Sequence, residues 1–416
     1  MIETIKIDNG PTLYLYEDKR RHSVFFDIVT LFGGMDKDFK SNGEEYHIQD
    51  GVAHILEHYV VENNDIGNFL NILGDKQMYT NASTGNKITR YYFEAVEDYL
   101  YGIETILKGI YSVHFSEEGL EKLKNPIYQE IRGRMNNKFY HSNIKEIGNL
   151  FHETRFRSIG GSLEDVKNTT VEDIEVCYKT FYQPSNQKIF IGGNFDKEKV
   201  ISFIKDFYKK LNHKEIDFSV IKGKEKDSVV KKEDTVEFPT EQEYVSISFK
   251  INMNKYNNRE KLNYDFYLLY TFKMFFGVTS PLYKKLVKDK IITEGIYPNK
   301  YLFDDYLIVT VSTYTDYSDV FIKEVLDTVN KMDSFNEELF ELEKKGTIIS
   351  LILRDENIKQ TLFPFIDNVI YYDYPYMDKI SDIEKMNYKE YVKAIKDLNF
   401  SNYTIMRIIN PKEKEC

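Results

Sequence analysis

Two histidines and a glutamate within residues 54–58 have the types and spacing of a metal-binding helix. In a helix, positions i, i+3 and i+4 share one face, so His54, Glu57 and His58 would project together. The other residues of 52–61 are apolar or aromatic, which is typical of a buried helix. Buried polar side chains need partners, and a divalent metal bound by two neutral imidazoles, with the carboxylate beside it, would satisfy all three. The segment therefore predicts a metal site.

The order of these residues, His-x-x-Glu-His, is the reverse of the commoner His-Glu-x-x-His and is typical of the inverzincin peptidases. It favours zinc as the metal and hydrolysis as the chemistry. A surface helix with two solvated histidines is the alternative interpretation. The apolar residues on both sides of the motif argue against that alternative.

A catalytic zinc usually has three protein ligands and one open position, so a third ligand is needed. Glu62, one turn beyond the second histidine, would point too far along the helix axis. Glu130 is the stronger candidate, because it lies in line with the apolar stripe of a predicted helix at 116–135. A carboxylate on the buried edge of a helix needs a cationic partner. An ordinary ion pair with Arg132 or Arg134 is therefore the alternative role for this glutamate.

Composition bounds the class of protein. The 416 residues carry a net charge of −11, and 42% of them are hydrophobic. This balance indicates two or three globular domains, and the acidic charge argues against a nucleic-acid partner. The sequence shows no signal-peptide pattern and no apolar run of transmembrane length, so we expect a cytoplasmic protein without a membrane span. Its two cysteines, Cys177 and Cys416, are too few for a disulfide framework or a cysteine zinc site.

The elements that would position the site alternate between strands and helices along the chain. A strand at 24–32 is apolar on both faces and is therefore predicted to be central, and Asp50 is the predicted cap of the metal helix. A highly charged stretch at about 213–235 interrupts the pattern, and the second half then repeats it without a His-x-x-Glu-His. We predict an α+β fold with two similar domains, each a mixed, mainly antiparallel sheet with helices packed on one face. The predicted domains are a zinc-binding peptidase domain at 1–215 and a homologous inactive domain at 235–416, joined by the charged stretch.

Four blocks of the sequence, in this order, resemble the pitrilysin/insulinase family of zinc peptidases. The blocks are residues 51–58, residues 81–84 with 89–93, residues 127–131, and residues 181–186 with 191–196. The four blocks lie within residues 51–196, and the resemblance as a whole covers nearly the whole chain. The likeness is greatest to the small two-domain bacterial members and to processing-peptidase subunits.

This resemblance implies roles for particular residues. The implied zinc ligands are His54, His58 and Glu130. Glu57 would act as the general base. An extended peptide would add as a strand beside residues 80–84. The implied substrate-binding residues are Asn81, Ala82 and Thr84.

The sequence departs from the family pattern at four positions. Leu123 replaces an acidic residue seven places before the third ligand, and Pro126 lies between the two. In relatives with a complete site, the C-terminal domain carries an arginine and, seven residues later, a tyrosine that hold the substrate carbonyl. Val287 and Glu294 occupy those positions here. Neither side chain can donate a hydrogen bond to a developing oxyanion at neutral pH.

The resemblance implies a zinc-dependent endopeptidase that cleaves short or unstructured peptides. Because the arginine and tyrosine are missing, we expect the chain to be the catalytic subunit of a heterodimer whose homologous partner supplies them. Removal of a leader peptide from a ribosomally made peptide is one task that the resemblance suggests. The main alternative is a non-catalytic scaffold or peptide-binding subunit, and a second is a metal-dependent hydrolase of non-peptide substrates.

Overall fold

The chain forms two compact units. A computed structural model describes residues 2–156, 159–211, 213–375 and 379–411, so Cys416 lies outside the described residues, whereas Cys177 is buried. Unit 1 comprises Met1–Arg134, Arg155–Gly223 and Asp355–Ile366, and unit 2 comprises Met135–Thr154, Lys224–Arg354 and Asp367–Cys416. Each unit therefore includes a segment from the other half of the sequence. The domain bounds of 1–215 and 235–416 stay a prediction of where the chain divides into folding units.

Strands and helices alternate throughout the described residues. In the first half they are β1 (Glu3–Lys6), β2 (Thr12–Glu17), β3 (Val24–Thr30), β4 (Asp38–Ser41), β5 (Glu44–His47), α1 (Val52–Glu62), α2 (Phe69–Asp75), β6 (Tyr79–Thr84), β7 (Thr89–Ala95), α3 (Tyr99–Tyr111), α4 (Glu117–Met135), α5 (Lys138–Leu150), α6 (Leu163–Asn168), α7 (Val171–Phe181), β8 (Gln187–Gly193), α8 (Lys197–Lys210) and β9 (Phe218–Val220). In the second half they are β10 (Glu233–Glu237), β11 (Tyr244–Asn252), α9 (Asn258–Phe276), α10 (Pro281–Lys288), β12 (Tyr297–Phe303), β13 (Tyr306–Tyr314), α11 (Ser318–Lys331), α12 (Glu337–Arg354), α13 (Ile358–Tyr372), α14 (Lys379–Glu384), α15 (Tyr388–Lys396) and β14 (Tyr403–Ile409). None of the described helices is both long enough and apolar enough to cross a membrane.

Unit 1 is built around a six-stranded sheet in the order β1-β2-β8-β3-β7-β6. Neighbouring strands are antiparallel except for the parallel pair of β2 and β8. Every residue of β3 is buried, which confirms that this strand is central. The apolar residues of α1, α3 and α7 join one face of the sheet in a single core. Strand β6 lies at the edge of the sheet.

Helix α1 begins at a glycine, and the prediction of an Asp50 cap is wrong. The N-cap residue is Gly51, whose backbone is left-handed with a φ of 86°, and no side chain among the described residues caps the helix. The Asp50 carboxylate instead forms an ion pair with Lys37. A Cβ atom on Gly51 would lie 2.7 Å from the carbonyl oxygen of Gly160, so only glycine fits here without strain. The start of α1 is therefore fixed by packing against a distant loop.

Unit 2 repeats this topology with a five-stranded sheet in the order β10-β14-β11-β13-β12. Strands β10 and β14 are parallel and the other neighbours are antiparallel, which is the pattern of β2, β8, β3, β7 and β6 in unit 1. Helix α1 is the first helix after β3, and α9 is the first helix after β11. The repetition confirms the predicted α+β class with two similar, mainly antiparallel sheets.

In each unit, a segment from the other half of the sequence packs against the second face of the sheet. In unit 1, the Phe363 ring lies 5.5 Å from the rings of Phe25 and Tyr92, measured between centroids. In unit 2, the Phe139 ring of α5 lies 5.0 Å from that of Tyr244. Sequence periodicity did not predict these two contacts, since each joins residues far apart in the chain.

Candidate metal centre

Helix α1 carries the three polar residues of the motif into unit 1. His54 and Glu57 are each 7% exposed and His58 is half-buried. The apolar residues of the helix are buried in the core, as their pattern predicted. The two imidazoles and the carboxylate are thus held on a helix that has little freedom to move.

Helix α4 supplies the third group. It continues through Pro126, whose ring is exposed, while Leu123 is buried in the core. Proline removes one backbone hydrogen bond, yet the following turns keep their helical form and carry Glu130. The two departures from the family pattern on this helix therefore do not displace that carboxylate.

The donor atoms of His54, His58 and Glu130 converge. The two imidazole Nε2 atoms are 3.3 Å apart. The Glu130 Oε2 atom lies 3.6 Å from Nε2 of His54 and 3.8 Å from Nε2 of His58. These three residues form the one cluster of histidine, cysteine and acidic side chains among the described residues that could hold a metal ion.

These distances fit a zinc ion. Zinc bonds of about 2.0–2.2 Å in tetrahedral geometry place neighbouring donor atoms roughly 3.3–3.5 Å apart. The two nitrogens already have this separation, and the oxygen would need to move only slightly towards them. Two imidazoles and one carboxylate are also a ligand set that catalytic zinc sites use.

Glu130 has a cationic partner as well as the two histidines. Its other oxygen, Oε1, accepts a hydrogen bond from the Arg134 guanidinium one turn along α4. The ion pair with Arg134, which was the alternative role for Glu130, is thus present. It uses Oε1, whereas Oε2 lies near the two histidines. Because Arg134 holds Oε1, Oε2 is left to face the imidazoles. The sequence alone allowed this pairing but could not show that both contacts coexist.

Glu57 lies beside the cluster and does not belong to it. Burial raises the pKa of Glu57 to about 7, and the hydrogen bond that its Oε2 accepts from the Thr84 hydroxyl, at 2.6 Å, acts in the opposite direction. Burial lowers the pKa of His54 to about 4, and burial also lowers the pKa of His58. Both imidazoles are therefore neutral near pH 7, which is the form that binds a metal.

The three residues predicted to bind substrate lie on β6, whose outer edge pairs with no other strand among the described residues. Thr84 and Ala82 alternate with the exposed Asn81 along the strand. The Thr84 hydroxyl contacts Glu57, a partnership that the sequence did not indicate. The Asn81 side chain accepts a hydrogen bond from the Ala82 amide. The substrate-binding role of these residues stays a prediction.

The positions of the missing arginine and tyrosine lie in unit 2. Val287 is on α10 and is 42% exposed. Glu294 accepts a hydrogen bond of 3.1 Å from the Tyr297 hydroxyl. A phenol therefore lies close to the position where the family pattern has one, although it comes from a residue three places later.

The chain matches known sequences over both units. A family model described as the Peptidase M16 inactive domain matches residues 168–347, a part that begins after the metal cluster. YmfH from Bacillus subtilis (strain 168), which is called an uncharacterized zinc protease, is 27% identical over 293 residues, covering 70% of this chain and 68% of the relative. The zinc protease PqqE from Helicobacter pylori is 25% identical over 229 residues, covering 51% of this chain and 50% of the relative.

A solved structure shares the fold. The crystal structure described as an M16-like peptidase from Alicyclobacillus acidocaldarius covers 99% of this chain and 98% of its own, with a TM-score of 0.90 and 20% identity. The chain therefore shares its fold with an M16-like peptidase and is similar in sequence to the M16 inactive domain and to two relatives called zinc proteases.

Proposed function

We propose that this chain is the zinc-binding, catalytic component of an endopeptidase that acts on short or unstructured peptides. The observation that carries the proposal is the convergence of His54, His58 and Glu130 beside the buried Glu57. The names of YmfH and PqqE as zinc proteases support the choice of zinc and of proteolysis. The possession of all four polar residues by one chain supports catalysis over simple binding.

The proposed chemistry needs a Lewis acid and a base. Zinc, when bound, polarises a carbonyl and makes water more acidic. Glu57 receives the proton of the attacking water and passes it to the leaving amine. Thr84 holds Oε2 of this carboxylate, which leaves Oε1 for the proton. Burial of Glu57 brings its pKa near 7, a value suited to both accepting and releasing a proton.

The proposed substrate binds as an extended strand. The open edge of β6 offers backbone groups to a peptide, and Thr84 at the end of that strand contacts the catalytic carboxylate. Addition of a strand to such an edge recognises the peptide main chain with little sequence preference. This mode of binding suits short or unstructured peptides, because a folded protein has few free edges. Removal of a leader peptide is one task of this kind.

We further propose that a homologous subunit completes the enzyme. Val287 and Glu294 offer no hydrogen bond donor at the positions where relatives carry an arginine and a tyrosine. Loss of one such donor costs on the order of 10²–10³ in rate. A second copy of this chain would lack the same pair, so the partner must be a different, homologous subunit.

The alternative function is a non-catalytic scaffold or peptide-binding subunit. One finding favours it: the matched family model is described as an inactive domain. That match covers residues 168–347 and does not include the metal cluster.

The experiment is a cleavage assay with an unstructured peptide library, at matched zinc, with and without the candidate homologous subunit. We expect zinc-dependent cleavage that chelation abolishes and that the partner increases at least about 100-fold. Full activity of the lone chain would contradict the partner proposal alone. Bound zinc without cleavage in either mixture would contradict the catalytic proposal and support the scaffold.

A further inference from the structure

Unit 2 contains a cavity of about 320 Å³ that has no part in the proposed peptidase chemistry. Helix α5 forms one wall, and β11, β12 and β13 form the other. Its size lies at the lower end of the range for small-ligand pockets. The rings of Tyr297 and Tyr301 line it and are 46% and 50% exposed, so they lie at its opening. The cavity is therefore accessible and bounded by aromatic faces.

A carboxylate also lines this cavity. Glu146 of α5 is half-buried, and its Oε1 accepts a hydrogen bond of 2.5 Å from the Ser248 hydroxyl. Burial raises the pKa of Tyr244 and of Tyr301, and the charge of Glu146 raises both further. Both phenols line the same cavity as this carboxylate. Among the described residues, no cationic side chain forms an ion pair with Glu146.

The lysines on the surrounding elements have partners elsewhere. These pairs are Lys145 with Asp234, Lys250 with Glu225, and Lys300 with Asp265. The remaining strand of the wall, β13, carries no charged residue. The part of the chain that the structure describes thus supplies no counter-ion to the carboxylate in the cavity.

One lysine shows how a cation binds to these rings. The ammonium of Lys138 lies 4.8 Å from the centroid of the Tyr314 ring, which also lines the cavity, and it donates a hydrogen bond to the Thr240 hydroxyl. Ammonium groups are attracted to aromatic faces at such distances. Lys138 is therefore held at the rim by its own contacts and does not pair with Glu146.

Burial raises the pKa of the Glu146 carboxyl group, because its charged form has no counter-ion. An ion pair with a cationic ligand would stabilise that charged form. Aromatic faces around a carboxylate are the chemistry that recognises an organic cation. We propose that this cavity binds an alkylammonium group, with Glu146 as its counter-ion and Tyr297 and Tyr301 as aromatic walls. The group could come from a free amine or from a lysine side chain of a peptide. The proposal does not rest on the proposed peptidase activity.

The test is calorimetric titration of the full chain carrying Glu57→Gln, which prevents cleavage of a peptide probe. The probes are cadaverine, the blocked tripeptide acetyl-Gly-Lys-Gly-amide, and its norleucine counterpart, which has a similar shape and no charge. We expect saturable binding of the lysine peptide or of cadaverine, at least tenfold tighter than that of the norleucine peptide. Binding of cadaverine alone identifies a free amine as the source, and binding of the lysine peptide identifies a peptide.

Matched variants locate the binding. Glu146→Gln keeps an acceptor for Ser248 and removes the charge, so the affinity should fall at least tenfold while the melting temperature does not fall. Tyr301→Leu should weaken binding several-fold, whereas Tyr301→Phe, which keeps the ring, should not. Glu338→Gln, at an exposed position of α12, is the control and should change nothing. Unchanged affinity in Glu146→Gln, or no saturable binding of either amine, would overturn the proposal.

Discussion

Helices α1 and α9 occupy the same position in the two repeated topologies, but they carry different kinds of side chain on their buried faces. Helix α1 presents His54, Glu57 and His58 on a buried face. The buried face of α9 instead carries tyrosines and apolar residues, and Tyr267 and Tyr270 pack near the ring of Tyr391. The difference shows that the topology accommodates either a cluster of side chains that could hold a metal ion or an aromatic core, and that a few side chains decide which forms.

The two helices also start differently. Helix α9 begins with a capping box, in which the Asn257 side chain accepts a hydrogen bond from the Glu260 amide and the Glu260 carboxylate accepts one in return. Helix α1 starts at Gly51, whose position depends on the distant Gly160. The start of α9 is therefore defined by residues next to it in the chain, whereas the start of α1 depends on tertiary contacts.

The largest expected effect comes from replacing Glu57, the proposed general base, which has no counterpart on α9. Glu57→Gln should lower turnover by about 10²–10⁴-fold, because an amide cannot accept the proton, while zinc content stays the same. Peptide cleavage and metal analysis on the same sample measure both. Glu62→Gln, at the exposed last residue of α1, is the matched control. An active Glu57→Gln enzyme would rule out this residue as the base.

Replacing Glu130, the charged residue among the three proposed ligands, should weaken zinc binding. Loss of partners outside the ligand shell already lowers metal affinity by about 10–100-fold, so Glu130→Gln should cost at least as much. Competition with a chelator of known affinity measures the loss. Glu121→Gln, which changes an exposed carboxylate paired with the buried Lys124 on the same helix, should leave zinc binding unchanged. Equal zinc affinity in the two variants would show that Glu130 is not a ligand.

A smaller effect should follow from removing the hydroxyl that holds Glu57. The hydrogen bond from Thr84 stabilises the ionised carboxylate, so Thr84→Val should raise the pKa of Glu57 above its value of about 7. The base acts only when ionised, so the acid limb of kcat/KM should move to higher pH, with a loss of about tenfold at pH 6. Ser83→Ala on the other face of β6 is the control. An unshifted acid limb would contradict the role given to this contact.

The smallest effects are losses of stability, caused by strain at glycines of positive φ or by removal of a helix cap. Gly51→Ala should lower the free energy of unfolding by at least about 2 kcal/mol, since strain at positive φ adds to a clash with Gly160. Gly67→Ala has a φ of 78° and open space around it, so only the strain remains, about 1 kcal/mol. Asn257→Ala should cost about 1 kcal/mol through loss of the cap. Denaturant unfolding measures all three, and equal losses at the two glycines would show that the packing contributes nothing.

Some elements could not be predicted from the sequence, and the reasons can be identified. Strand β12 begins with Tyr297 and Pro298, and proline is tolerated only because this strand lies at the edge of its sheet. Helix α13 contains Pro364, which argues against a helix when the sequence is read alone. Helix α5 belongs to unit 2 although it lies in the first half of the chain. These elements exist because tertiary packing overrides a weak local preference.

The sequence by itself determined the features that depend on neighbours in the chain. The face shared by His54, Glu57 and His58 follows from helical periodicity, the burial of β3 from its continuous apolar run, and the cap of α7 from Thr170 and Asp173. Glu130 could be singled out, since a carboxylate in an apolar stripe requires a partner.

Only the tertiary structure decided which partners these groups have. It placed Oε2 of Glu130 against the histidines and Oε1 against Arg134. It also placed the Thr84 hydroxyl on Glu57 and left Glu146 without a counter-ion among the described residues. These contacts join separate elements, or distinguish two oxygens of one carboxylate. Periodicity sets which face of an element a side chain occupies, whereas the packing of whole elements sets which atoms meet across that face.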